Sequence, residues 1–210
     1  MTNALIWGAA GGLGRALTSH LAAAGWTVYA VAREAAALTA LTPHCFDADV
    51  ADPFAVQRAV LAVSQEAGLI QLCLYAAGDI ASQPVGRMTP DAWARLLNAN
   101  LTGAYLTTHH SLPLLAPDAH LMFIGALHER LRLPGLAAYA AAKAGLEAFA
   151  EVLRKEERGR RVTVVRPAAV DTPLWRKAPF RLPAGALSPE VAAQKIIAAH
   201  QSGHAGLLEL

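Results

Sequence analysis

Several features that mark whole protein classes are scarce or missing here. Only two of the 210 residues are cysteine, Cys45 and Cys73. Each lies in a short apolar run, which argues against a disulfide framework or a cysteine-rich zinc site and predicts buried, reduced thiols. Charged residues make up 16% and the formal net charge is +2, too mild a balance for a nucleic-acid partner. The one dense basic run, Arg154 to Arg161, is interleaved with glutamates and reads as a solvated helix end. Long hydrophobic runs are also absent. Apolar residues reach 54% and the mean hydropathy is +0.32, yet glycine, proline or charge interrupts every run short of the roughly 20 residues that span a bilayer. No membrane partner is therefore expected. The opening MTNALIWGAA has no basic region, apolar stretch and cleavage site of a secretory signal, so a cytoplasmic location is expected. There is no GxSxG, hence no support for a serine hydrolase. His200 and His204 have ligand-like spacing, but Ser202-Gly203 interrupts the helix and no third ligand is evident, so no metal site is expected.

What is present is regular alternation. Apolar runs at residues 4–7, 27–32, 44–46, 72–76, 120–124, 161–165 and 206–210 alternate with amphipathic stretches at 12–24, 53–67, 91–115, 137–157 and 189–201. Strand and helix repeated in this way predict an α/β protein with a parallel sheet covered on both faces. The length suits one core, so residues 1–210 are read as a single Rossmann-like, doubly wound domain with a sheet of about seven strands. Asp52-Pro53 and Ser188-Pro189 supply a cap and a first-turn proline, and Gly25 stops the first helix. The segment from Pro167 to Pro189 has no clear period, is rich in proline and carries Trp175. Residues 168–188 read either as a flap over a substrate or as an irregular surface loop.

Chemistry enters at two places. The first strand runs straight into WGAAGGLG, where Gly8, Gly12, Leu13 and Gly14 turn the chain into a helix. Glycine there lets a pyrophosphate reach the helix amides, so the context predicts a dinucleotide site. The second strand ends in Ala32-Arg33. An acid at this point reads a ribose 2′-hydroxyl and an arginine a 2′-phosphate, which favours NADP(H) over NAD(H), unless Arg33 is merely a solvated loop residue. Further on, Tyr139 and Lys143 stand one helical turn apart. They read as a proton-transfer pair, with the lysine lowering the tyrosine's affinity for its proton, or as a helix-face pair without chemistry.

With Gly8, Gly12, Gly14, Tyr139 and Lys143 in this order, the sequence resembles the short-chain dehydrogenase/reductase family over nearly its whole length. The glycine motif TGxxxGxG is matched by WGAAGGLG, the NNAG segment by YAAG with Ala77 and Gly78, the signature YxxxK by YAAAK, and PGxVxT by PAAVDT with Val170 and Thr172. Asp49 in DADV, followed by Val50, resembles the acid that faces the adenine, and Asn100 in NANLTG resembles the asparagine of the middle helix. The resemblance implies an oxidoreductase that interconverts a carbonyl and an alcohol on a small molecule. In it Tyr139 is the acid/base, Lys143 its modulator and ribose ligand, and Asn100 part of a proton relay. It also implies a homodimer or homotetramer built through the long middle helices. Four departures stand out. Trp7 and Tyr75-Ala76 replace polar residues that tie the phosphate loop to the NNAG turn, which predicts a looser cofactor site. Ala168 replaces a glycine, and Ala126 falls where the family has its substrate-binding serine. His128 in the following loop is a candidate replacement donor. Without one, the alternative is an NADP(H)-binding protein that has lost efficient catalysis and serves a regulatory role.

Overall fold

Period-two alternation along the strands decides which helices cover which face. The computed structural model describes residues 2–210. Strands β1 (Asn3–Trp7), β2 (Thr27–Ala32), β3 (Cys45–Asp47), β4 (Ile70–Tyr75), β5 (Leu115–Ile124), β6 (Arg161–Arg166) and β7 (Gly206–Glu209) pair in parallel. Their spatial order is β3-β2-β1-β4-β5-β6-β7. Helices α1 (Gly12–Ala23), α2 (Pro53–Glu66), α3 (Pro90–Leu97), α4 (Gly103–Ser111), α5 (Ala137–Glu156) and α6 (Pro189–Gln201) make the crossovers. Leu5, Trp7, Tyr75, Leu121, Phe123 and Val164 point to one face, against α2, α4 and α5. Ala4, Ile6, Leu74, Met122 and Val165, one residue out of phase, point to the other, against α1 and α6. Strands buried on both faces are what a parallel sheet requires.

The caps lie where their residue types place them. Asp52 accepts the Phe54 amide at 2.9 Å and Ser188 the Val191 amide at 3.2 Å, each with proline in the first turn. Two sequence expectations change. The single helix expected over 91–115 is α3 and α4 joined by a π-turn, Asn98–Thr102, and the chain already enters β5 at Leu115. The basic run near the end of α5 is only partly solvated. Arg160 is half-buried and donates to the carbonyls of Leu112, Leu115 and Ala116, tying the start of β6 to the start of β5. No helix among the described residues is long and apolar enough to cross a membrane.

The order reverses between β1 and β4, whose crossovers leave in opposite directions. Such a switch point opens a crevice at the carboxyl ends of the strands.

Candidate active site

The loop after β1 is held by close packing. Gly8 has φ +80, and a Cβ on it would stand 2.4 Å from the Ala77 amide nitrogen, so only glycine fits. The Gly8 amide donates to the Val31 carbonyl at 2.9 Å, and the Ala76 amide to the Trp7 carbonyl at 2.8 Å. The looser site expected from Trp7 and Tyr75-Ala76 is thus not observed. The Trp7 indole is buried with its Nε1 unpartnered, while backbone bonds and the glycine contact tie the loop to the β4 turn. The first turn of α1 has neither a side-chain cap nor an acidic residue. Its Gly11, Gly12 and Leu13 line the crevice, presenting partial positive charge to it.

The crevice is a cavity of about 1090 Å³ along the carboxyl ends of the strands. That lies at the upper end of the roughly 300–1,000 Å³ usual for a small-molecule site. Of the residues singled out from the sequence, Gly8, Gly12, Leu13, Arg33, Asp49, Val50, Ala77, Gly78, Asn100, Ala126, Tyr139, Lys143, Val170 and Thr172 all line it. Gly14 does not. It packs beneath the loop, where a Cβ would meet the Gly8 carbonyl oxygen at 2.3 Å. His128 is also absent from the wall. Its Nε2 lies 3.3 Å from Glu147, in a group with Glu129 and Arg166 behind the loop, and not in the crevice wall.

Tyr139 and Lys143 lie on the buried face of α5. Lys143 Nζ donates to the Ile124 carbonyl at the end of β5, 2.8 Å away, and stands 5.7 Å from the centre of the Tyr139 ring. Burial pulls the lysine down to about 8 and pushes the tyrosine up to about 12. The lowering expected of the tyrosine belongs to Lys143 acting together with an oxidised nicotinamide; in the protein alone, burial of the phenol sets the direction. Asn100 is buried. Its Nδ2 donates to the carbonyls of Asp79 (2.7 Å) and Leu96 (2.9 Å), and its Oδ1 has no partner. A Cβ on Gly78 would be 2.9 Å from that Oδ1 and 3.8 Å from Lys143 Nζ, so both groups converge on one spot of the cavity floor.

Around Tyr139 the wall is apolar. Ile80, Leu136, Leu131, Leu174, Ala178 and Phe180 pack with it. Three of these come from the 168–188 segment, whose ends are joined by the Asp171 amide on the Leu187 carbonyl and the Leu187 amide on the Ala169 carbonyl. Trp175 is half-buried against Phe180, edge to face at 5.5 Å. At the rim Asp79 pairs with Arg95 of α3 and, at 2.8 Å, with Lys177 of the segment. No motif announced that ion cluster, since its members are 16 and 98 residues apart in pairs.

Comparison with known proteins agrees with this architecture. Residues 2–180 match the family described as short chain dehydrogenase. The 3-oxoacyl-(acyl-carrier-protein) reductase MabA of Mycobacterium bovis is 32% identical over 187 residues, covering 87% of this chain and 75% of its own. An uncharacterized oxidoreductase of Myxococcus xanthus is 33% identical over 193 residues, with coverages of 86% and 76%. Among solved structures, a 3-ketoacyl-(acyl-carrier-protein) reductase from Brucella melitensis complexed with NADH superposes with a TM-score of 0.88 at 22% identity, covering 100% of this chain and 96% of its own. By sequence as well as by fold, this chain belongs to the short chain dehydrogenase family.

Proposed function

We propose that the protein reduces a carbonyl compound to an alcohol with NADPH, Tyr139 being the proton donor. The observation that carries this reading is the protonated Tyr139 at an apolar pocket, beside a lysine that remains mostly charged at neutral pH. Reduction needs a hydride and a proton, and a bound reduced nicotinamide would supply the hydride. The proton comes from the Tyr139 hydroxyl, which makes no hydrogen bond to another group among the described residues and is free to donate to a substrate oxygen. The charge on Lys143 stabilises the phenolate that remains, and Asn100 Oδ1 offers an acceptor beside it. The glycine loop, the uncapped start of α1, Asp49, Val50, Ala77, Gly78, Val170 and Thr172 form a wall of the size and polarity that a dinucleotide needs. Preference for NADP(H) over NAD(H) rests on Arg33. It is exposed on that wall without an ion-pair partner among the described residues, whereas the nearby Asp47 carboxylate is engaged by the Ala35 amide at 2.8 Å.

Ala126 distinguishes this site from the family pattern. No residue from Gly125 to Leu136 carries a hydroxyl, so the loop after β5 gives Tyr139 no second hydroxyl on the substrate oxygen. The pocket around Tyr139 suits a small or hydrophobic ketone, and the 168–188 segment serves as its flap. The mycobacterial relative's name suggests 3-oxoacyl thioesters as the first compounds to try. NADPH oxidation over a panel of 3-oxoacyl thioesters, ketones, aldehydes and quinones tests the reading. Turnover that vanishes in Tyr139→Phe supports it. NADPH binding with no turnover, even in Ala126→Ser, favours the regulatory, non-catalytic alternative.

A further inference from the structure

A strand residue outside the cavity wall is tied to the helix that carries Asn100. An unbroken α-helix would pair the Gly103 amide with the Ala99 carbonyl, four residues back. Here the π-turn sends that amide to the Asn98 carbonyl, five back. The Ala99 carbonyl instead accepts the hydroxyl of Tyr75, at 2.8 Å, from the end of β4. The fit is tight on both sides. A Cβ on Gly103 would stand 2.5 Å from the Tyr75 hydroxyl oxygen and 2.8 Å from the Asn98 carbonyl oxygen, so this hydroxyl can lie here only against glycine. Tyr75 is 2% exposed, and burial together with the charge of Asp49 raises its pKa, so it stays a donor. Asn100, the residue after Ala99, is aimed by the same turn. Its amide is fixed on Asp79 and Leu96, and its unpartnered Oδ1 lies against Gly78, where a Cβ would stand 2.9 Å from it and 3.8 Å from Lys143 Nζ.

We infer that Tyr75 is a positioning residue for the reaction: its hydroxyl, by holding the Ala99 carbonyl, sets the π-turn that delivers Asn100 to Lys143. This rests on the reductase reading above. Tyr75 occupies a position where the family pattern has an asparagine, so a strand side chain has taken over the support of the middle helix.

Tyr75→Phe removes one oxygen and keeps every ring contact, which preserves the fold. The measurements are kcat, KM and the pH profile of Tyr75→Phe, Asn100→Ala and the double variant. Alongside them, NMR follows hydrogen exchange of the Asn100 side-chain amide in wild type and Tyr75→Phe. The expected result is a kcat lower by about ten- to a hundred-fold in Tyr75→Phe, with KM for NADPH and ketone within about two-fold, because a displaced group weakens the chemical step more than binding. The double variant should match Asn100→Ala, since the two act in series. Exchange at the Asn100 amide should rise about ten-fold or more as its anchoring loosens. An unchanged kcat in Tyr75→Phe, or losses that multiply in the double variant, overturns the inference. If wild type reduces nothing on the panel, it is the reductase reading that has failed, and the exchange measurement alone decides the positioning role: unchanged exchange sinks it, faster exchange sustains it.

Discussion

The two ends of the sheet each bury a polar cluster with displaced pKa values, and they differ in what is left unsatisfied. At the amino-terminal end, His120 of β5 is fully buried between His200 of α6, at 3.1 Å, and Thr163 of β6, at 2.8 Å. Burial, helped by the nearby Arg161 guanidinium, pulls His120 down to about 3 and His200 to about 4. Thr163 in turn donates to the His204 carbonyl, and Arg161 to that of His200. Both His120 ring nitrogens have partners, and none of His120, Thr163 and His200 lines the crevice. At the carboxyl end, Tyr139 and Lys143 are displaced just as plainly, but the Tyr139 hydroxyl has no hydrogen-bond partner among the described residues and its side chain lines the crevice of about 1090 Å³, while the buried Asn100 Oδ1 is unpartnered as well. A displaced pKa therefore does not distinguish a working group from a structural one in this molecule; the unfilled hydrogen bond facing a cavity does.

The sharpest way to break that contrast is to remove one group at each end. Tyr139→Phe should lower kcat by about 10³-fold, while the melting temperature holds or rises, because a buried phenol without a protein partner is lost. His120→Leu should do the reverse, leaving kcat intact and lowering stability by about 1–3 kcal/mol, because His200 and Thr163 lose a buried partner. Loss of kcat in the His120 variant well below its melting point would erase the distinction. Next in size is Ala126→Ser. A hydroxyl added at the wall beside Tyr139 should raise turnover by about a hundred-fold or more, the usual worth of one well-placed donor. A fall instead would mean that the pocket already fills that space with substrate.

The two ends should also answer pH in opposite senses. His120 and His200 have folded pKa values below their ordinary 6.5, so between these limits the unfolded chain binds more protons. Their contribution to stability is complete above about 6.5 and is lost as pH falls toward 4 and then 3. Denaturant midpoints measured from pH 7 to 4 should fall steadily, and His120→Leu should flatten that slope. At the other end, Lys143 sheds its charge as pH rises through about 8, so kcat should decline between about pH 8 and 9 while stability holds, before the buried Cys73 and Tyr139, whose pKa values are raised, begin to favour the unfolded chain at higher pH. A rate that is flat to pH 10 would remove Lys143 from the mechanism. The smallest effect belongs to the rim. Lys177→Met breaks an exposed pair with Asp79 worth at most about 1 kcal/mol, so KM for the ketone should rise by less than about five-fold and the change should disappear at high salt.

Legibility followed the same division. Strand and helix order, caps and the glycine turn are local, and each was readable from composition and spacing. Tyr139 and Lys143, one turn apart on a helix, were readable for the same reason. The ion cluster of Asp79, Arg95 and Lys177 was not, because a pair 98 residues apart leaves no periodic mark. The turn of His128 toward Glu147 rather than Tyr139 depends on Arg166, which gathers Glu129, Glu147 and Glu209 from three separate elements. The π-turn was hidden as well, since NANLTG has the residues of an ordinary helix and only the Tyr75 hydroxyl beneath it reveals the break.

Cys73 sits midway along β4, next to the strand on which the switch point turns, with its thiol 7% exposed and pushed up to about 12. In the native molecule it is out of reach of alkylating reagents twice over, by access and by lack of thiolate. The half-buried Cys45, at the far edge of the sheet, donates to the Thr42 carbonyl and is the more reachable of the two. The chain thus carries its own pair of clocks: labelling at Cys45 times the fraying of the edge, and labelling at Cys73 times the opening of the centre, with no reporter added.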